Sequence, residues 1–141
     1  MENSNNLERF ITAQKDKYAI ALAEIKAGRK RSHWMWFIFP QVKGLGMSEL
    51  SSFYGITDLH EAEAYLNHPV LGQRLRAICQ ELENLTTQDA HEIFGSPDDL
   101  KLKSCLTLFA AVPNADPLFE SLLEKFYQGS RDSRTLALLN N

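Results

Sequence analysis

Lys26, Arg29, Lys30 and Arg31 fall within six positions with no acid among them, and His33, Trp34, Trp36, Phe37 and Phe39 follow directly. Lysine and arginine neutralise phosphate or carboxylate, and aromatic faces stack on flat rings, so the pairing suits a flat, negatively charged ligand. Lys30 and Arg31 are placed to hold the anion, Trp34 and Trp36 to supply stacking faces, and Gln41 to read polar edges. Gly44 and Gly46 give the next turn its flexibility. Gly44-Leu45-Gly46 alone is no phosphate loop, because no strand precedes it and no third glycine or Lys-Ser/Thr follows. His33 is the residue best suited to proton transfer, since imidazole titrates near neutral pH. The run also has a plainer reading. The apolar stretch Trp34–Phe39 suits burial, and four cations after a helix suit its negative end.

A second segment with chemical potential runs from Ser96 to Ser104. Ser96-Pro97-Asp98-Asp99 reads as a helix start, with Ser96 as the cap, proline at the first helical position and two acids at the positive end. Capping leaves Lys101 and Lys103 unexplained. Asp99 and Lys103 are expected to pair, being four residues apart in the favourable acid-first order. Lys101 enters a helix that turns apolar just downstream, where an ammonium needs a carboxylate or an anionic ligand. Three roles stay open for it: a structural ion pair, an anion holder, or a base or nucleophile with a lowered pKa. Asp99 joins His33 as an acid–base candidate. Cys79 and Cys105 sit on apolar helix faces without basic sequence neighbours and are expected to be inert core thiols. His60, His68 and His91 show no metal-ligand spacing, so no metal is expected, and no motif calls for a cofactor.

Helices must position these groups. Leu7, Phe10, Ile11, Gln14, Tyr18, Ala21, Leu22 and Ile25 form one amphipathic stripe that stops at Gly28. Ser48 caps a short helix to Tyr54, and Asp58 with Glu61 opens the next as a capping box. Pro69 marks the first position of a helix through Leu82, and a short one follows over Asp89–Phe94. The helix entered at Ser96 is apolar on nearly every side from Ser104 to Val112, which makes it the central buried element. Asp116-Pro117 starts a helix to Tyr127, and Ser133–Asn140 forms the last. Alternating strand patterns are nearly absent. The expectation is an all-α fold: one domain over residues 1–141, with about seven or eight helices in an irregular bundle.

Composition bounds the function. The chain has 15 basic and 18 acidic side chains, a net charge of −3 and a pI near 5.8, which argues against a nucleic-acid-coating surface. Without the four clustered cations the balance is 11 to 18, or −7, so the positive field is local. Two distant cysteines form no disulfide framework, and MENSNNLERF lacks a signal-peptide pattern. No apolar run is long enough to span a bilayer. A soluble, cytoplasmic protein is expected.

The stretches GRKRSHWMWFIFPQVKGLG (Gly28–Gly46), HPVLGQRL (His68–Leu75), EIFGSPDDLKLKSCLTLFA (Glu92–Ala110) and NLERFITAQ (Asn6–Gln14) closely resemble the bacterial domain-of-unknown-function family eighteen-ten. The resemblance implies a compact, mainly helical domain and no settled activity. Its blocks cover Lys30, His33, Trp34, Trp36, Pro40, Gln41, Gly44 and Gly46, then Asp99, Lys101 and Ser104, which implies a shared pocket. The label calpastatin that such proteins sometimes carry does not fit, because calpastatin-type inhibitors are disordered polar chains and this one is rich in helical apolar stripes. An AQ-bearing first helix and a Trp before a Gly-x-Gly turn are similar to the helical NADAR-type N-glycosidases, a likeness that implies ribosyl or ADP-ribosyl substrates. Lys26–Gln41 and Asp98–Ser104 are therefore expected to meet and line one cleft. The leading expectation is binding of a small anionic or nucleotide-like molecule. A glycosidic-bond hydrolase using His33, Asp99 or Lys101 and a protein-interaction module are the alternatives, and a concave rather than flat site separates ligand from protein partner.

Overall fold

The computed structural model describes residues 6–140, which form ten α-helices and no strand. In chain order these are α1 (Glu8–Gln14), α2 (Tyr18–Lys26), α3 (Met35–Ile38), α4 (Glu49–Phe53), α5 (Leu59–Asn67), α6 (Leu71–Asn84), α7 (Ala90–Phe94), α8 (Asp98–Ala110), α9 (Pro117–Tyr127) and α10 (Ser133–Leu139). The all-α class stands, with two helices more than the upper expectation. One is α3, a single turn inside the aromatic run. The other comes from a break in the first stripe, which divides into α1 and α2 around Gln14. Its buried amide donates to the Phe37 carbonyl at 2.8 Å and lies 3.1 Å from the Tyr65 hydroxyl. The chain turns tightly there, with Lys17 N–H bonded to the Gln14 carbonyl at 3.1 Å.

Side-chain caps set several other starts, those at Ser48, Asp58 and Asp116 being ones the sequence shows. Ser48 accepts from Ser51 N–H, Asp58 from Glu61 N–H, Asp116 from Leu118 N–H and Asp132 from Thr135 N–H. Two starts differ from expectation. The His68 imidazole, not a proline-led turn alone, caps α6: its Nδ1 accepts from Val70 and Leu71 N–H at 3.1 and 3.3 Å. Ser96 does not cap α8. Pro97 precedes that helix without a side-chain cap, the Gly95 carbonyl takes Asp99 N–H at 2.9 Å, and Asp99 Oδ1 takes Leu100 N–H, also at 2.9 Å.

The central role expected for α8 holds. Leu102 and every residue from Ser104 to Phe109 are buried, as α5, α7, α9 and α10 surround the helix. Helix α6 carries α2, α5 and α9 against the same hydrophobic cluster, where Trp34, Tyr65, Phe10, Phe39, Phe109 and Phe119 are the largest fully buried side chains. Each such side chain contributes roughly 1.5–3 kcal/mol by leaving water. Two glycines permit close approaches. A Cβ at Gly72 would stand 2.0 Å from the Leu66 carbonyl oxygen, so glycine lets α6 start against the end of α5. A Cβ at Gly55 would stand 2.7 Å from Lys43 Cα. Here the chain closes on itself: Ile56 N–H bonds to the Gln41 carbonyl and Lys43 N–H to the Ile56 carbonyl, each at 2.8 Å. That clasp, an isolated parallel bridge between Val42 and Ile56, makes residues 43–55 a closed flap carrying α4.

Candidate functional site

The flap, the start of α8 and the start of α10 enclose a cavity of about 420 Å³. Its aromatic and apolar wall includes Trp36, Tyr54, Leu45 and Leu100, and its cations are Lys101, Lys103 and Arg134. Ser104, Gln41 and Asp132 complete the polar lining used below. The volume is that of a small-molecule site, in the lower part of the usual range of about 300–1,000 Å³.

The segments Lys26–Gln41 and Asp98–Ser104 meet here. Lys101 Nζ stands 4.3 Å from the Trp36 ring centroid and 3.3 Å from Asp98 Oδ1. Asp98 Oδ2 also receives Lys30 at 2.9 Å, so one carboxylate serves two ammonium groups. The Lys30 side chain is only 8% exposed; its Nζ donates to the Ser32 carbonyl at 2.6 Å and faces the Trp34 ring at 5.0 Å. Lys30 thus stands behind the cleft and reaches it through Asp98. Lys103 faces the Tyr127 ring at 5.9 Å instead of pairing with Asp99, whose carboxylate lies 3.5 Å from His91 Nδ1. The expected Asp99–Lys103 pair does not form: the Asp99 carboxylate accepts Leu100 N–H and lies beside His91, while Lys103 faces the ring of Tyr127, whose hydroxyl donates to the Asp99 backbone carbonyl at 2.5 Å. Arg134 Nη2 donates to the Leu45 carbonyl at 3.1 Å and ties α10 to the flap.

Of the residues singled out from the sequence, Trp36, Gln41, Gly46, Lys101 and Ser104 line the cavity. Arg31, His33 and Gly44 are exposed outside its lining, and Asp99 stands outside it beside His91. Trp34 is fully buried, with its indole N–H donating to Glu24 Oε1 at 2.9 Å and its ring against Phe39 and Phe94. The same Glu24 carboxylate takes the N–H groups of Arg31 and Ser32 and the Ser32 hydroxyl, which fixes the basic turn from within. Burial pushes the Glu24 carboxyl up, but the hydrogen bonds from Ser32, Arg31 and Trp34 outweigh it and bring it down to about 2. Cys79 and Cys105 are buried, and burial pushes both thiols well above the ordinary value. Among the described residues no cluster of His, Cys, Asp or Glu is suited to hold a metal ion.

Sequence reasoning missed Arg134 and Asp132. The only signal was the charged stretch Arg131-Asp132-Ser133-Arg134, which reads locally as a helix cap. Asp132 Oδ2 accepts from Ser104 Oγ and Thr135 N–H, each at 3.1 Å, and also from the Thr135 hydroxyl. Asp132 N–H in turn donates to Thr107 Oγ1 at 2.9 Å. The loop before α10 is thereby locked onto α8.

Over residues 4–139 the chain matches the family model described as "Protein of unknown function (DUF1810)". It belongs to the DUF1810 family. This DUF1810 chain is similar to the conserved hypothetical protein Rv1873 from Mycobacterium tuberculosis, whose crystal structure superposes with a TM-score of 0.95. The two are 48% identical, and the match covers 99% of each chain. A search of the curated proteins gave no match to the DUF1810 chain. Among its described residues no helix is long and apolar enough to cross a membrane.

Proposed function

We propose that this DUF1810 protein binds a small anionic, nucleotide-like molecule in the cleft between Trp36 and Lys101. The observation that carries the reading is the convergence of Lys101, Lys103 and Arg134 on one concave, aromatic-walled cavity in a chain whose net charge is −3. Three cations against the single lining carboxylate of Asp132 leave a positive site, and low-dielectric walls strengthen its attraction for an anion. Trp36, with Lys101 over its ring, and Tyr54, packed on Phe10, Phe37 and Phe53, give the lining aromatic surface against which a flat ring would pack, and Ser104 and Gln41 offer neutral hydrogen bonds. Binding is favoured over glycosidic hydrolysis because His33 and Asp99, the acid–base candidates, stand outside the lining. It is favoured over a protein-docking role because the aromatic wall is concave and Trp36 is half-buried.

Thermal-shift and calorimetric titration with inorganic phosphate, nucleoside phosphates and sugar phosphates tests the reading. A ligand that binds only the folded state adds about 2.7 kcal/mol of stability at 100 times its dissociation constant. Stabilisation by a nucleotide that disappears in Lys101→Met supports the site; undiminished binding in Lys101→Met places the ligand elsewhere.

A further inference from the structure

We propose that Asp132 is the specificity-determining residue of this cleft, accepting the hydroxyl groups of a ribose-type sugar so that the site selects ribonucleoside monophosphates. The inference rests on the anion-binding reading above and deepens it.

A carboxylate in a positive cleft is the odd member of the set, and its placement says what it can recognise. The donors that Asp132 receives among the described residues, Ser104 Oγ, Thr135 N–H and Thr135 Oγ1, all fall on Oδ2. Those bonds hold the carboxylate in one orientation, with its backbone N–H pinned to Thr107 Oγ1. Oδ1 keeps its accepting capacity in a residue that lines the cavity. A carboxylate oxygen repels phosphate and accepts hydrogen bonds from hydroxyl or amino groups. The anion therefore belongs with Lys101, Lys103 and Arg134, and a donor-bearing part of the same ligand belongs with Asp132. Opposite preferences within one cavity fix the direction in which a ligand lies. A flat ring for Trp36, a phosphate for the cations and a diol for Asp132 together describe a mononucleotide, and a cavity of about 420 Å³ is small for anything much larger.

The test compares adenosine 5′-monophosphate with its 2′,3′-dideoxy analogue, which keeps ring and phosphate and lacks both hydroxyls. Inorganic phosphate serves as the probe of the anion subsite. Hydrogen bonds to a charged acceptor are worth about a factor of ten or more, so the wild-type protein is expected to bind the ribonucleotide at least about tenfold more tightly. In Asp132→Asn the amide oxygen stays with the three donors, as an asparagine cap would keep it, and the NH₂ group enters the cleft. Neutral hydrogen bonds carry about half the free energy of charged ones, so a tenfold preference falls to about threefold. A melting curve establishes that the variant folds, and the wild-type comparison needs no variant at all. Equal wild-type affinity for the two nucleotides, or an Asp132→Asn preference equal to that of wild type, overturns the inference while leaving the anion site in place. Failure of phosphate and both nucleotides to bind overturns the inference together with the reading beneath it.

Discussion

Glu24 does at one point what a small ligand does elsewhere: it gathers Arg31 N–H, Ser32 N–H, the Ser32 hydroxyl and the Trp34 indole around one carboxylate. Its pKa of about 2 in the fold lies below the ordinary 4.5, so the folded state favours the ionised form. That stability is fully present above about pH 4.5 and is lost as the pH falls towards 2. Urea unfolding between pH 6 and 2 should therefore show a decline that Glu24→Gln flattens, with the wild type the steeper of the two. Lys101 gives a prediction of the opposite kind. Its side chain is 24% exposed, and Asp98 keeps Lys30 as a partner when Lys101 is replaced. Lys101→Met should cost less than about 1 kcal/mol in denaturant unfolding while abolishing nucleotide-induced stabilisation. Lys101→Arg should restore binding only in part, since a planar fork over Trp36 does not reproduce a compact ammonium. Asp98→Ala should be the more damaging change to the fold, because it leaves the buried Lys30 ammonium without its carboxylate.

The flap is secured from a distant helix. Arg9 on α1 donates to the Phe53 carbonyl at 2.7 Å and the Gly55 carbonyl at 2.9 Å, and meets Glu61 on α5 at 3.1 Å. Glu61 is 2% exposed and also accepts Thr57 N–H at 2.7 Å. Removing the cation leaves a buried carboxylate unpaired, a loss of about 3–5 kcal/mol, so Arg9→Met should lower the unfolding midpoint sharply and weaken nucleotide binding together. Gly72→Ala should also destabilise, by about 1–3 kcal/mol or more, because α5 and α6 must separate to admit a methyl group. Elements of this kind were unequally legible. Caps at Ser48, Asp58 and Asp116 are local chemistry, written within three residues of the helix they start. The break at Gln14 is not local: the apolar stripe continues through it, and only Phe37 and Tyr65, folded back from later in the chain, reveal why the amide turns inward. Helix α3 was hidden in the aromatic run because no side chain caps it.

At the scale of the molecule, the cleft is assembled from residues 36–55, 97–104 and 132–134. Trp36 and Lys101 were legible because each violates its local pattern, an aromatic excess in one case and a cation before an apolar helix in the other. Asp132 and Arg134 satisfy theirs, as cap and surface charge, and only the packing of α10 on α8 gives them a second role. The positive cleft in an acidic chain also separates binding from stability in their response to salt. Raising ionic strength from about 0.05 to 0.5 M should weaken nucleotide affinity severalfold in calorimetric titration while shifting the melting midpoint little, since the core is apolar. Helix α10 carries a further consequence. It spans seven residues, of which only Thr135 is fully buried, and it docks through the partly buried Leu138 and Leu139 together with the Asp132 bonds to Ser104 and Thr107 and the Arg134 bond to Leu45. Short segments held by few contacts open locally without global unfolding. Each such opening would take Asp132 and Arg134 out of the cleft, so under the proposed binding role affinity should scale with the fraction of time α10 is docked. Amide hydrogen exchange in α10 should accordingly slow when adenosine 5′-monophosphate is added, with α8 amides changing far less, and the ratio of the two rates would count how often the site takes itself apart.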